Sequence, residues 1–195
     1  LFDKIYVGSL QRQQHTYEIV SEVFKKNKLE IPNPIILKEL NEHQATEAMK
    51  IEMPKMIISD PLIKKLWKEI ELNPEKKKVN LMLGFKYFLN LWAKDKIFVN
   101  GVIPWKDFRN NVKKGLTIIL KNTKSNQKIG VFTSGGTISS ITAESLNIND
   151  ELKIADLNFS IRNTSFTTFL YSKETFNLMS FNELPFLEKD MITFV

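Results

Sequence analysis

The 195-residue sequence contains no cysteine. Disulfides, thiolate metal ligands and a cysteine nucleophile are thereby excluded, and the chain suits a reducing compartment, so a cytoplasmic location is expected. No apolar run reaches the roughly 18 residues of a membrane span, and no charged segment leads into an apolar stretch at the start. No membrane partner is expected. Histidine is nearly as scarce as cysteine: His15 and His43 are the only two, and no His-x-x-x-His or Glu-x-x-His spacing joins them. Neither a metal site nor a cofactor is expected. The motifs of two common enzyme classes are missing as well. No Gly-Lys-Ser/Thr follows the glycine pair at 135–136, and Phe132 stands where Gly-x-Ser-x-Gly would need its first glycine. A P-loop ATPase and an α/β-hydrolase are both set aside.

What is present suits one buried core in a single domain over 1–195: 43% of the residues are hydrophobic and 26% charged. Lysine and arginine number 28 against 22 acids, for a net charge of +6. The lysines gather in "IKKLWKE" (63–69) and "EKKK" (75–78), without arginine and without the glycine-aromatic signature of an RNA-binding sheet. They read as solvated helix faces, and no nucleic-acid partner is expected.

The hydrophobic pattern alternates between periods of two and 3.6 residues. "KIYVG" (4–8) predicts a strand, and Ser9 an N-cap for a helix with the apolar stripe Tyr17, Val20, Val23 and Phe24. After "IPNP", whose prolines exclude helix, "IILKEL" predicts a second strand ending at Asn41, Glu42 and His43. From Ser59 to Lys121 three helices are predicted, with Pro74 between the first two and Pro104 at the first turn of the third. Residues 128–133 return to strand, "TISSITAESL" is helical, and two β-rich runs at 163–171 and 175–181 form a hairpin around a Ser-Lys-Glu turn. The expected fold is α/β: a three-layer sandwich with a mostly parallel central sheet, helices on both faces and a C-terminal antiparallel hairpin.

Ligands of such sheets sit beyond the carboxyl ends of the strands. Three polar groups fall there: "GSLQR", "LNEH" and "TSGGT". Arg12 lies in a first helical turn, where its charge opposes the helix dipole unless an anion is present; it is either a phosphate ligand or a surface charge. Glu42 is a proton donor at a strand end or an ordinary loop carboxylate. In "TSGGT" the glycines let backbone N–H groups approach an anion, or they simply make a strand-to-helix turn.

In this order the three strand ends resemble the histidine phosphatase superfamily, the phosphoglycerate-mutase-like fold. "DKIYVGSLQRQQHTYEIV" is similar to that family's strand followed by Ser-x-Leu-x-Arg-x-x-x-Thr, "ELNEH" to its Leu-x-Glu motif, and "IGVFTSGG" to its Ser-His-Gly-Gly loop. "RNTS" and "SFNELPFL" are similar to the closing hairpin, and one phosphoglycerate-mutase-like branch carries Thr-Ser-Gly-Gly. The resemblance implies a phosphohistidine intermediate formed on an Arg-His-Gly strand that would precede Leu1. It implies Arg12 and the Gly135 N–H as phosphate ligands, Glu42 as the acid or base, and Ser134 at the position of the second histidine. It also implies a helical insertion or lid over 44–103 and a small phosphomonoester or inorganic phosphate as ligand. Two readings follow: a phosphatase-type hydrolase, or a non-catalytic phosphate-ligand or protein-interaction member of the same fold.

Overall fold

In a computed structural model, which describes residues 1–172 and 174–194, three short strands form a parallel sheet in the order β2-β1-β3. They are β1 (Lys4–Val7), β2 (Pro34–Ile36) and β3 (Ile129–Phe132). β1 is the central strand, so Ile5, Tyr6 and Val7 are all buried, as expected for a strand covered on both faces. Pro34 starts the edge strand, where its missing N–H costs no ladder bond. The register pairs Val7 with Phe132, and side chains alternate along a strand. Ile5, Val7 and Phe132 therefore share one face, and Tyr6 points to the other.

Helix α1 (Gln11–Lys26) covers the first face, with Tyr17 edge-on to Phe132 at 5.5 Å and Phe24 stacked on Phe2 at 6.5 Å. On the opposite face Tyr6, Leu40 and Ile119 make a buried cluster. The expected stripe of α1 needs one correction: Val23 is exposed, and Gln13 and Ser21 take buried positions beside Tyr17 and Phe24.

The chain divides into two compact units, Leu1–Glu42 with Phe108–Val195, and His43–Asp107. The second is helical: α2 (Ala45–Ser59), α3 (Pro61–Leu72), α4 (Lys77–Ala93) and the first residues of α5 (Trp105–Lys121). Asp60 caps α3 by accepting the N–H groups of Leu62 and Ile63 at 2.9 and 3.0 Å. The Tyr87 hydroxyl donates to the same carboxylate at 3.0 Å, and that bond is the main cause of its raised pKa. The core of this unit is aromatic. Trp92 and Trp105 are buried 5.9 Å apart, and the His43 ring lies 5.9 and 5.7 Å from them.

In the first unit β3 leads into α6 (Gly135–Ser145) and α7 (Glu151–Asn158), followed by the antiparallel hairpin of β4 (Phe166–Tyr171) and β5 (Phe176–Glu183). The Tyr171 hydroxyl ties the hairpin to the segment before β3 by donating to the Gln127 carbonyl at 2.7 Å. The predicted Ser-Lys-Glu turn includes Lys173, which lies outside the described residues.

Two local expectations are corrected. "IILKEL" is strand only to Ile36; Leu37 still donates to the Val7 carbonyl at 2.9 Å, and Lys38–Leu40 then turn as a 3-10 segment. The turn buries Leu40 completely and leaves its carbonyl free to collect side-chain donors. Ser9 is not the N-cap of α1. Leu10 holds that position, and the Ser9 N–H and hydroxyl are instead engaged by the Asn41 side chain, at 2.7 Å for the N–H.

Candidate functional site

Three segments meet at the carboxyl end of the parallel sheet: Gly8–Gln13 after β1, Leu40–Glu42 after β2, and Thr133–Thr137 after β3. Their junction is polar, with Gln13 and Thr137 buried and Asn41, Glu42, Thr133 and Ser134 half-buried. The Leu40 carbonyl accepts from Gln13 Nε2 at 3.1 Å, Thr133 Oγ1 at 2.6 Å and Thr137 Oγ1 at 3.3 Å. The Asn41 carbonyl accepts from Thr137 Oγ1 at 3.0 Å. These hydroxyls belong to "TSGGT", so its threonines anchor the second strand's exit as well as lead into α6.

Gln13 is the hub. It is 2% exposed; its amide nitrogen also donates to Ser134 Oγ at 2.9 Å, and its oxygen accepts from Leu10 N–H at 3.3 Å. It thus joins the exits of all three strands and closes the first turn of its own helix. Gly8 makes the space, because a Cβ there would lie 1.9 Å from Gln13 Oε1 and 2.6 Å from its Cδ. Gly8→Ala is expected to push the amide out of its bonds and to cost about 1–2 kcal/mol of stability, measured by urea unfolding. A cost below about 0.5 kcal/mol would mean that the amide relocates without loss.

Ser134 is the N-cap residue of α6 but makes no side-chain cap bond. Its hydroxyl oxygen accepts from Gln13 Nε2 instead, which leaves its O–H able to donate. One N–H at the start of α6 has a charged partner: Gly136 N–H donates to Glu42 Oε2 at 2.9 Å. A carboxylate at a helix N-terminus is favoured by the helix dipole and by the unpaired first-turn donors. The same donors and dipole suit a phosphate oxygen.

The structure therefore gathers Glu42, Ser134 and Gly135 into one polar cluster. Arg12 is in the first turn of α1 but exposed, with no ion pair or side-chain hydrogen bond among the described residues. His15 is exposed on α1, and His43 packs against the two tryptophans of the second unit. No three His, Asp or Glu side chains converge as a metal site among the described residues.

Gln13 is not among the residues expected at the site, although its spacing of four from Tyr17 places it on the buried stripe. Nor is Arg109, which is 3% exposed on α5. This guanidinium donates to Glu144 at 3.0 Å, Glu151 at 3.1 Å and the Ser140 carbonyl at 3.1 Å, and so ties α5 to α6 and α7.

No protein-family model matches the sequence, and no curated protein matches it. Among solved structures, one from Escherichia coli K-12 described as "a putative alpha-ribazole-5'-P phosphatase" is similar at a TM-score of 0.55 and 16% identity, over 93% of this chain and 74% of that one. At that identity the likeness speaks for the fold and not the chemistry: this chain has the α/β fold expected from its sequence resemblance to histidine phosphatases.

Proposed function

We propose that the protein is a phosphatase-type hydrolase of a small phosphomonoester, working through a phosphohistidine whose histidine lies outside these 195 residues. One observation carries the reading. Glu42, Ser134 and the glycines that open α6 share the carboxyl end of a parallel sheet, which is where ligands of such folds bind. In this reading Arg12 and the Gly135 N–H hold the phosphoryl oxygens, and Ser134 adds a neutral hydroxyl. Histidine nitrogen attacks phosphorus, the ester oxygen departs with a proton from Glu42, and Glu42 then takes a proton from the water that cleaves the phosphohistidine. The structural neighbour's description as a putative alpha-ribazole-5'-P phosphatase agrees with a phosphorylated small-molecule substrate.

A second reading has its own support. Ser134 cannot supply the positive charge of an imidazolium, and Glu42 already occupies Gly136 N–H. Both features suit a member of the fold that binds a phosphate ligand without turning it over.

Both readings need Arg12 at the anion, so its removal tests the site itself. Titration calorimetry with vanadate on the 195-residue chain is expected to show about tenfold weaker binding for Arg12→Ala. That is roughly 1.5 kcal/mol, the low end for a charge-assisted contact because the side chain is exposed. The melting temperature is expected to stay the same. Unchanged affinity removes Arg12 from the site. Turnover of p-nitrophenyl phosphate by this chain, abolished by His15→Ala or His43→Ala, would instead displace the proposed nucleophile.

A further inference from the structure

The phosphate site proposed above makes no use of the lysine-rich stretch, and the structure gives that stretch an unusual neighbour. The α3–α4 hairpin, residues 61–94, contains eight lysines against three acids, Glu69, Glu71 and Glu75. On the first turns of α4, Val79, Met82 and Leu83 project from one stripe, spaced by three and one, and they and Leu72 at the end of α3 are between 50% and 65% exposed. The opposite side of α4 is taken: a Cβ at Gly84 would sit 3.6 Å from Ile63 and 3.9 Å from Leu66 of α3. The exposed stripe is therefore an outer face of the α3–α4 pair. Lys76 is paired with Glu69 at 2.9 Å, whereas Lys77 and Lys78 have no carboxylate partner among the described residues.

We propose that this face, the end of the α3–α4 hairpin in the second unit, docks on an anionic lipid surface. Charge selects the occupant, because the hairpin is basic overall and two adjacent lysines with no carboxylate partner among the described residues open α4 just before the apolar stripe, matching the negative charge of acidic headgroups. Residue type decides against a protein partner. Protein interfaces favour tyrosine, tryptophan and arginine and are depleted in lysine, while the exposed residues of this face are lysine, valine, methionine and leucine beside Glu71 and Glu75. Lysine stems lie along the apolar boundary and keep their ammonium groups in the headgroup layer. The absence of a spanning helix among the described residues bears on insertion and leaves binding of this kind open.

The test uses the whole 195-residue chain and co-sedimentation with vesicles of phosphatidylcholine, alone or with about a third phosphatidylserine. The chain is expected to pellet with the mixed vesicles only. Lys77→Gln with Lys78→Gln is expected to weaken binding about tenfold or more, and Met82→Ser with Leu83→Ser to weaken it comparably, both with unchanged melting. Because the chain has no cysteine, Met82→Cys carries a single environment-sensitive dye. Its emission is expected to shift to the blue on mixed vesicles, while the same dye at Lys25→Cys on α1 does not respond. Failure to bind mixed vesicles overturns the proposal, as does binding that ignores Met82→Ser with Leu83→Ser. A dimer in sedimentation velocity that those two substitutions abolish also overturns it, and assigns the face to a second copy of the chain.

Discussion

Arg109→Met is expected to lower the stability of the folded chain by about 3 kcal/mol, near the bottom of the ~3–5 kcal/mol range for breaking a buried ion pair on one side. The guanidinium is almost fully enclosed, and its three bonds reach Glu144, Glu151 and the Ser140 carbonyl. Both carboxylates keep some contact with water, at 27% and 40% side-chain exposure, and Glu144 retains Lys113 at 3.2 Å. Solvent screening therefore keeps the loss from the top of the range. Arg109→Lys is expected to recover less than half of it, because one ammonium cannot reproduce a fork that serves three acceptors in different directions. Urea unfolding with matched m-values measures both variants. A loss below about 1 kcal/mol for Arg109→Met would mean that α6 and α7 hold together by apolar contacts alone. Because Ser140 lies on α6 a turn beyond Gly135 and Gly136, loosening this anchor is also expected to weaken vanadate binding.

Much of the architecture is legible in the sequence because its elements have clear periods. β1 and β3 are short apolar runs that end at glycine or at a polar turn, and the three helices between Pro61 and Lys121 repeat every three to four residues. The elements that periodicity alone does not delineate lack that pattern. α2 carries Pro54 inside it and shows no apolar stripe. α7 is only eight residues long and is announced by Asp150, whose side chain accepts the N–H groups of Leu152 and Lys153. "IILKEL" looks like one strand because its residues are β-prone, but the chain must turn at Leu37 to bury Leu40 under Ile119 and Tyr6. That requirement is tertiary and leaves no local trace.

The candidate site was legible as positions rather than as connections. The carboxyl ends of the strands pointed to Glu42, Ser134 and Gly135, but their linkage runs through Gln13, which reads as one more polar residue beside Arg12. Arg109 is similar. Four residues after Trp105 and three before Val112, it falls along the apolar stripe of α5, and a charge there signals a buried partner. Recognising it requires knowing which acids come near, and Glu144 and Glu151 are more than thirty residues away in sequence.

The pair Gln13 and Ser134 allows the descent of the site to be tested by restoring a histidine. Ser134→His alone is expected to destabilise the chain by about 1–3 kcal/mol, since the ring must enter space held by a buried amide 2.9 Å from the serine oxygen. Gln13→Ala alone is expected to cost about 3 kcal/mol, roughly one for each of three hydrogen bonds. Combined, the changes are expected to be less harmful than their sum by more than about 1 kcal/mol, because the alanine vacates the volume that the imidazole needs. The double variant is also expected to bind vanadate at least tenfold more tightly than Gln13→Ala, since an imidazolium beside the α6 N-terminus adds a charged donor for the anion. Additive destabilisation with no gain in affinity would mean that Ser134 is a packed turn residue and that this loop holds no phosphate. Coupling without a gain in affinity would show only that two side chains share a space. Both together would mark the glutamine–serine pair as a neutral replacement for a charged phosphate ligand, and would favour the binding reading over the hydrolytic one for the chain as it stands.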